Sequence, residues 1–212
     1  MQIAIIGTGN VGSAIARGLK GRGHHVTLGV RDVSRPDLLS LSTEVGARLL
    51  DPVQAAQSAE IAVLALPWEK AESAVKALGD LSGKIVIDCM NPLAMIDGTL
   101  SLAIGHTTSG AEQVQSWLPG ASVVKTLNQV GAEIMQDNAG LPHRPAQFMA
   151  GDDEAAKAAV AILLRDLGFE PFDAGPLKRA RLLEPLAMVW INQALLRGKG
   201  RNWALAAVSP AT

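Results

Sequence analysis

Residues 3–12 read Ile-Ala-Ile-Ile-Gly-Thr-Gly-Asn-Val-Gly, and this stretch decides the fold. Four apolar residues of strand type run straight into a Gly-x-Gly-x-x-Gly pattern. A helical pattern follows, with Val11, Ile15 and Leu19 recurring at four-residue intervals. In that setting each glycine has a task. Gly7 permits a tight turn out of the strand, Gly9 lets the backbone approach a pyrophosphate, and Gly12 lets the helix lie close to a sheet. The free N–H groups and positive dipole end of the helix then face the phosphates. The stretch predicts a βαβ unit that binds a dinucleotide.

The next decision lies at the end of the second predicted strand, His25–Val30. A carboxylate at that place accepts a hydrogen bond from the ribose 2′-hydroxyl of NAD, and it would repel the 2′-phosphate of NADP. Here the place is held by Val30 and Arg31. A guanidinium can grip a phosphate by two parallel charge-assisted bonds. Arg31 therefore predicts NADP(H), and Arg35 is a second candidate cation. Asp32 has two readings, an acceptor for a ribose hydroxyl or a surface partner for an arginine.

Working outward, further strands are predicted at 47–50, 61–66, 84–89 and 122–127. Several are continuously apolar, as expected of strands covered on both faces. Asp51-Pro52 predicts a cap with proline at the first helical position, and Ser109 with Glu112 predicts a capping box. The alternation predicts an α/β fold, a Rossmann doubly wound parallel sheet. After about Gln136 comes a polar, proline-containing connection. A strand (146–150), a helix (152–167), a strand (169–173) and a long helix (176–197) then predict a small C-terminal α/β portion. The expected division is an NADP-binding domain over 1–137 and a C-terminal domain over 138–212 that contributes to an acceptor site and a dimer contact.

Composition agrees with such a chain. Of 212 residues 48% are hydrophobic and 18% charged, which supports a substantial core, and a net charge of −1 argues against a nucleic-acid partner. No apolar run approaches the length of a membrane span and the N-terminal Met1–Ile6 carries no basic leader, so a cytoplasmic location without a membrane partner is expected. Cys89 is the single cysteine, which excludes an internal disulfide and a cysteine-cluster metal site. It is expected to be a buried, inert thiol, and no metal is expected.

The motifs GTGNVG (7–12), GVRD (29–32), ALPW (65–68), IDCMNP (87–92), VVKTLN (123–128) and FDAGPLKRARLLEPL (172–186) occur in this order. Together they resemble the NADP-dependent oxidoreductases that exchange hydride with the deazaflavin coenzyme F-420. They are also similar to the cytosolic oxidoreductase domain of the six-transmembrane metalloreductases. The resemblance covers nearly all of the chain. It implies NADP(H) as cofactor, a homodimer, and direct hydride transfer between stacked nicotinamide and flavin-like rings of F-420 or FMN/FAD. It further implies that Thr8, Asn10 and Val11 contact phosphates and that Arg31 takes the 2′-phosphate. Leu66, Pro67 and Trp68 would line the cofactor's path, with Asn91 and Pro92 near the nicotinamide. Two positions depart from the F-420 enzymes: Val30 replaces a serine before the arginine, and Asn128 replaces a histidine after the sixth strand.

Hydride transfer to a flavin-type ring asks for alignment more than for an acid–base pair. None of the four histidines lies in a catalytic pattern, and His24 and His25 are expected at the surface or sheet edge. Lys125, late in the sixth strand, has two readings: with Asn128 it could polarise a carbonyl or protonate an imine, or it could simply support a loop. Three functions follow: hydride transfer between NADP(H) and a flavin-type small-molecule acceptor, reduction of a small carbonyl or imine, and non-catalytic NADP(H) binding. The apolar helix carrying Leu182, Leu186, Val189 and Leu196 is expected to pack against a second subunit, with Trp190 in the core or that interface.

Overall fold

In the computed structural model, which describes residues 1–210, the opening apolar run is strand β1 (Gln2–Ile6) and the glycine pattern leads into helix α1 (Asn10–Gly18). The last two residues of the predicted 138–212 portion lie outside the described residues. Next come β2 (His25–Gly29), α2 (Pro36–Val45), β3 (Arg48–Leu50), α3 (Pro52–Ser58), β4 (Ile61–Leu64), α4 (Ala71–Lys76) and β5 (Ile85–Asp88). A hairpin of β6 (Leu93–Ile96) and β7 (Thr99–Leu102) precedes α5 (Gly110–Trp117), β8 (Ser122–Lys125) and α6 (Ala132–Gln136). The chain then forms β9 (Ala146–Gly151), α7 (Glu154–Asp166), β10 (Glu170–Asp173) and α8 (Ala180–Ile191).

The main sheet has eight strands in the order β10-β9-β8-β5-β4-β1-β2-β3. The six strands from β3 to β8 are mutually parallel, β9 runs antiparallel to β8, and β10 is parallel to β9. Strand order reverses between β1 and β4, which opens a crevice at their carboxyl ends. This is the α/β fold expected, with a mostly parallel Rossmann sheet and a small extra hairpin sheet.

The strands read as unbroken apolar runs because both faces are covered. In β1, Ile3 and Ile5 join the core under α1, α2, α6 and α7, whereas Ala4 and Ile6 join the core under α3, α4 and α5. β4 repeats the division, with Ile61 and Val63 on the first side and Ala62 and Leu64 on the second. The small residues at positions 4 and 62 meet Ala55 and Ala56 of α3 in the same core. The first core also runs across the expected boundary at 137/138, joining Ile15 of α1 to Leu163, Leu164 and Phe169.

Local chemistry sets the helix starts. Asp51 accepts from Val53 N at 2.9 Å with Pro52 in the first turn of α3. At α5, Ser109 Oγ accepts from Glu112 N at 3.2 Å and donates to the Glu112 carboxylate at 2.8 Å. Asp153 caps α7 through the N–H groups of Ala155 and Ala156 and accepts from Ser122 Oγ of β8 at 2.7 Å.

Four expectations need correction. The strands predicted to 30, 66, 89 and 127 end at Gly29, Leu64, Asp88 and Lys125, because the chain turns away there, the first three into the crevice wall and the last into a buried turn at Leu127. The helix predicted over 176–197 is a 3₁₀ turn (Leu177–Arg179), then α8, then a π-helical turn (Asn192–Leu196). The β6–β7 hairpin was not anticipated, although Asp97 (φ 48°) and Gly98 (φ 74°) form an Asp-Gly turn between apolar residues. His24 is not a surface residue: its side chain is 5% exposed and its Nε2 lies 3.0 Å from Asp166 of α7. Among the described residues, no helix is long and apolar enough to cross a membrane.

Phe169 is fully enclosed in the core shared by the two halves of the chain. Phe169→Ala is expected to lower the unfolding free energy by about 3–5 kcal/mol. Urea denaturation should follow one transition by both fluorescence and circular dichroism.

Candidate functional site

Gly7 leaves β1 with φ 99°, and a β-carbon there would sit 2.4 Å from the Ala65 carbonyl oxygen. A β-carbon at Gly12 would lie 1.8 Å from the Gly7 carbonyl oxygen. Neither position admits another residue without moving backbone, so the two glycines fix how closely α1 approaches β1 and β4. Gly9 differs. A β-carbon there would meet nothing within 4 Å, so its backbone faces open space. Gly9 is also the N-cap of α1, with no side-chain cap and no acidic residue in the first turn. The helix thus presents uncapped N–H groups and a positive dipole end to the crevice. Ser13 Oγ donates to the Thr8 carbonyl at 3.0 Å and steadies the loop from behind.

The crevice is a cleft of about 1310 Å³ running across the carboxyl ends of β2, β1, β4 and β5. Its walls include Gly7, Thr8, Gly9, Asn10, Val11, Arg31, Arg35, Leu66, Pro67, Trp68 and Asn91, so most of the expected binding residues come together. Gly12, Pro92, Lys125 and Asn128 do not line it. Gly12 acts through packing, as expected of the third glycine. Pro92 is buried and its carbonyl accepts from Ala103 N at 2.7 Å, which starts the hairpin rather than a ligand contact. The walls also hold residues not anticipated. Asp51, Val53, Ser73, Ala77 and Leu78 lie at one end, and Cys89, Met90 and Leu93 at the other. Their signal was positional, since each follows a strand end or faces one across the crevice.

The charges at the end of β2 divide cleanly. Arg31 is exposed and makes no ion pair among the described residues. Arg35 is bound to Asp37, at 2.5 and 3.1 Å, and this pairing raises its pKa. Asp32 lines the cleft and makes no ion pair with an arginine among the described residues. Its carboxylate accepts from Ser34 Oγ at 2.6 Å and from Ser34 N at 2.9 Å, and these bonds hold its pKa below the ordinary value. The loop therefore leaves one guanidinium free beside the cleft. Cys89 is buried as expected, and burial pushes its thiol pKa far up. Trp68 borders the cleft and stacks on Trp117 with ring centroids 5.7 Å apart.

Lys125 is where the expected chemistry fails. Its side chain is fully buried, and its Nζ lies 3.0 Å from Asp88 Oδ2 and 3.2 Å from Glu184 Oε1. It also donates to the Met90 carbonyl. Burial alone would push this ammonium's pKa down, but the two carboxylates outweigh it and hold the pKa above the ordinary value. A fully charged, enclosed lysine outside the cleft wall is not a proton donor to a ligand in the cleft. Glu184, drawn from α8, was missed from sequence. Burial pushes its pKa up, against the pull of Lys125 and of the Gly110 N–H. Removing Lys125 alone would strand two buried carboxylates, at a cost of about 3–5 kcal/mol. Asn128 is likewise buried. It donates to Asn91 Oδ1 at 3.0 Å and to the Leu183 carbonyl at 3.1 Å.

The family model described as NADP oxidoreductase, coenzyme F420-dependent, matches residues 2–92. A solved structure from Arthrobacter sp. FB24, assigned as an F420-dependent NADP-reductase, superposes with a TM-score of 0.86 at 37% identity, covering 98% of this chain and 100% of that one. The metalloreductase STEAP3 of Rattus norvegicus is 30% identical over 187 residues, 88% of this chain and 36% of that protein. The chain thus spans about a third of the length of the curated relatives it matches. An imine reductase from Streptomyces aurantiacus shares the fold at 21% identity with a TM-score of 0.64, covering 93% of this chain and 64% of that one. With the glycine loop, the cleft and the free arginine beside it, the likeness to the Arthrobacter protein over both whole chains is decisive: the chain belongs to the F420-dependent NADP oxidoreductase family.

Proposed function

We propose that the protein passes a hydride between NADP(H) and a flavin-type ring, coenzyme F-420 or a flavin such as FMN or FAD. The observation that carries this reading is Arg31, a cation without a carboxylate partner among the described residues, on the wall of a cleft whose centre is the uncapped start of α1. Phosphates at Gly9–Val11 and a 2′-phosphate at Arg31 put the adenosine half toward β2 and β3. The nicotinamide half then extends across the switch point to Met90 and Asn91. When bound, NADPH supplies a hydride from its nicotinamide; with one proton from solvent the acceptor ring is reduced by two electrons and NADP⁺ remains. The protein's own part is to grip the phosphates, align the rings and exclude water. No acid–base dyad is needed, which suits a cleft whose nearby lysine is sequestered. The name of the Arthrobacter relative favours F-420 among the acceptors.

We also propose a homodimer. Leu182 and Val189 are each 60% exposed on α8, and Leu196 is 51% exposed one turn beyond it. Such apolar side chains on one helical stretch suit a partner surface. Sedimentation equilibrium at micromolar concentration is expected to give twice the chain mass.

The test of the cofactor reading is a titration of nicotinamide fluorescence. NADPH is expected to bind more tightly than NADH. Arg31→Ala should weaken NADPH by roughly 10- to 150-fold, the equivalent of about 1.5–3 kcal/mol for charge-assisted bonds, and leave NADH nearly unchanged. Arg35→Ala should do less, because Asp37 already occupies that guanidinium. Gly9→Val should abolish binding while leaving the melting temperature close to wild type, since the added side chain enters only ligand space. NADPH oxidation with F-420, FMN and small carbonyl compounds then compares acceptors; turnover of carbonyls alone would overturn the flavin-type assignment.

A further inference from the structure

The buried charges beside β5 and β8 converge on one backbone segment. Lys125 Nζ donates to the Met90 carbonyl, and Asp88 Oδ1 accepts from Met90 N at 2.9 Å. Both polar groups of the Met90 backbone are thus held by the same ion pair. Met90 stands between Cys89 and Asn91, and all three line the cleft. The next residue is held as firmly. Asn91 Nδ2 donates to the Asn128 carbonyl at 2.9 Å, while Asn128 Nδ2 donates to Asn91 Oδ1 at 3.0 Å. Just before Asn128 the chain turns at Leu127, a buried non-glycine residue at φ 57°. Strained backbone of this kind persists only where its surroundings over-determine it.

The hold reaches the C-terminal helix. Glu184 of α8 sits 3.2 Å from Lys125 Nζ and accepts from the N–H groups of Gly110 and Ala111 at 3.0 and 3.2 Å. Stability alone does not account for such an arrangement, because apolar residues of similar volume serve a core as well or better than a buried ion pair. Hydride transfer, in contrast, is steeply sensitive to where a ring lies.

We propose that Lys125 is a positioning residue: paired with Asp88 and anchored to α8 through Glu184, it fixes the Met90–Asn91 wall against which the nicotinamide ring is seated. This rests on the reading that the nicotinamide half occupies the β5 end of the cleft. Lys125 touches neither cofactor nor acceptor and gives up no proton.

The working variant is the double substitution Lys125→Met with Glu184→Gln, which removes one buried charge of each sign. NADPH is titrated by its nicotinamide emission, and hydride transfer to FMN and F-420 is followed at saturating NADPH. The expected result is a Kd within about threefold of wild type, a loss of the emission change on binding, and a fall in kcat of about tenfold or more. Wild-type emission and kcat in the folded double variant would overturn the proposal. So would losses of kcat and affinity that match the unfolded fraction seen by circular dichroism. Glu184→Gln alone, which leaves the Lys125–Asp88 pair intact, covers the case in which the double variant fails to fold. It should reduce emission change and kcat a few-fold with Kd unchanged; wild-type values would overturn the anchoring. The emission arm needs no acceptor, so a wild type that turns over no flavin refutes the acceptor assignment while the seating is still decided. A wild type that binds NADPH with no emission change overturns the seating itself.

Discussion

Two carbonyl oxygens govern this molecule. The Ala65 carbonyl stands where a side chain at Gly7 would begin, and the Gly7 carbonyl stands where one at Gly12 would begin. That double close approach lets β1 meet β4 and lets α1 descend onto both. Move either contact apart and the start of α1 no longer faces the point where strand order reverses. The cleft is the space this geometry leaves over, and every group in it is placed relative to that fixed corner. Gly9 is the counter-case. It is conformationally ordinary, at φ −74°, and its lack of a side chain serves an outside occupant rather than the fold.

Electrostatic selection then works by subtraction. The loop after β2 holds two arginines and two aspartates within Arg31–Asp37. Ser34 hydrogen-bonds the Asp32 carboxylate and Arg35 pairs with Asp37, so Arg31 is the guanidinium beside the cleft that has no ion-pair partner among the described residues. A loop of the same composition that paired Arg31 with Asp32 would leave no unpaired guanidinium there.

Much of this was legible in the sequence, for physical reasons that can be named. Periodicity and glycine spacing fix β1, α1 and the phosphate-facing loop, because local sterics leave few alternatives. The caps at Asp51 and Ser109 formed as read, since both are local hydrogen bonds, although the Glu112 carboxylate takes the Ser109 hydroxyl and Arg181 rather than closing the capping box on the Ser109 N–H. What the sequence concealed was long-range. Nothing near Lys125 announces Asp88, 37 residues earlier, or Glu184 on α8, and without those partners a lysine at a strand end reads as a reagent. His24 was misjudged for the same reason, its partner Asp166 being 142 residues away. Strand ends were overrun because apolar residues serve equally in a sheet or beyond it, Leu66 in the cleft wall and Leu127 in a buried turn. The β6–β7 hairpin carried a recognisable Asp-Gly turn, but short strands of Leu, Ala and Met look much like helix.

The outermost strands carry a consequence for self-association. A parallel sheet ends in a row of open backbone donors and acceptors, an invitation to uncontrolled fibrous growth. Here one margin is β3, only three residues long. The other is β10, where Pro171 lacks a backbone donor and Glu170 and Asp173 supply like charges. The single antiparallel step at β9 delivers the sheet to this blunted margin instead of leaving β8 bare. Both margins of the main sheet are thereby poor templates for another strand, which turns self-association away from edge-to-edge growth of that sheet.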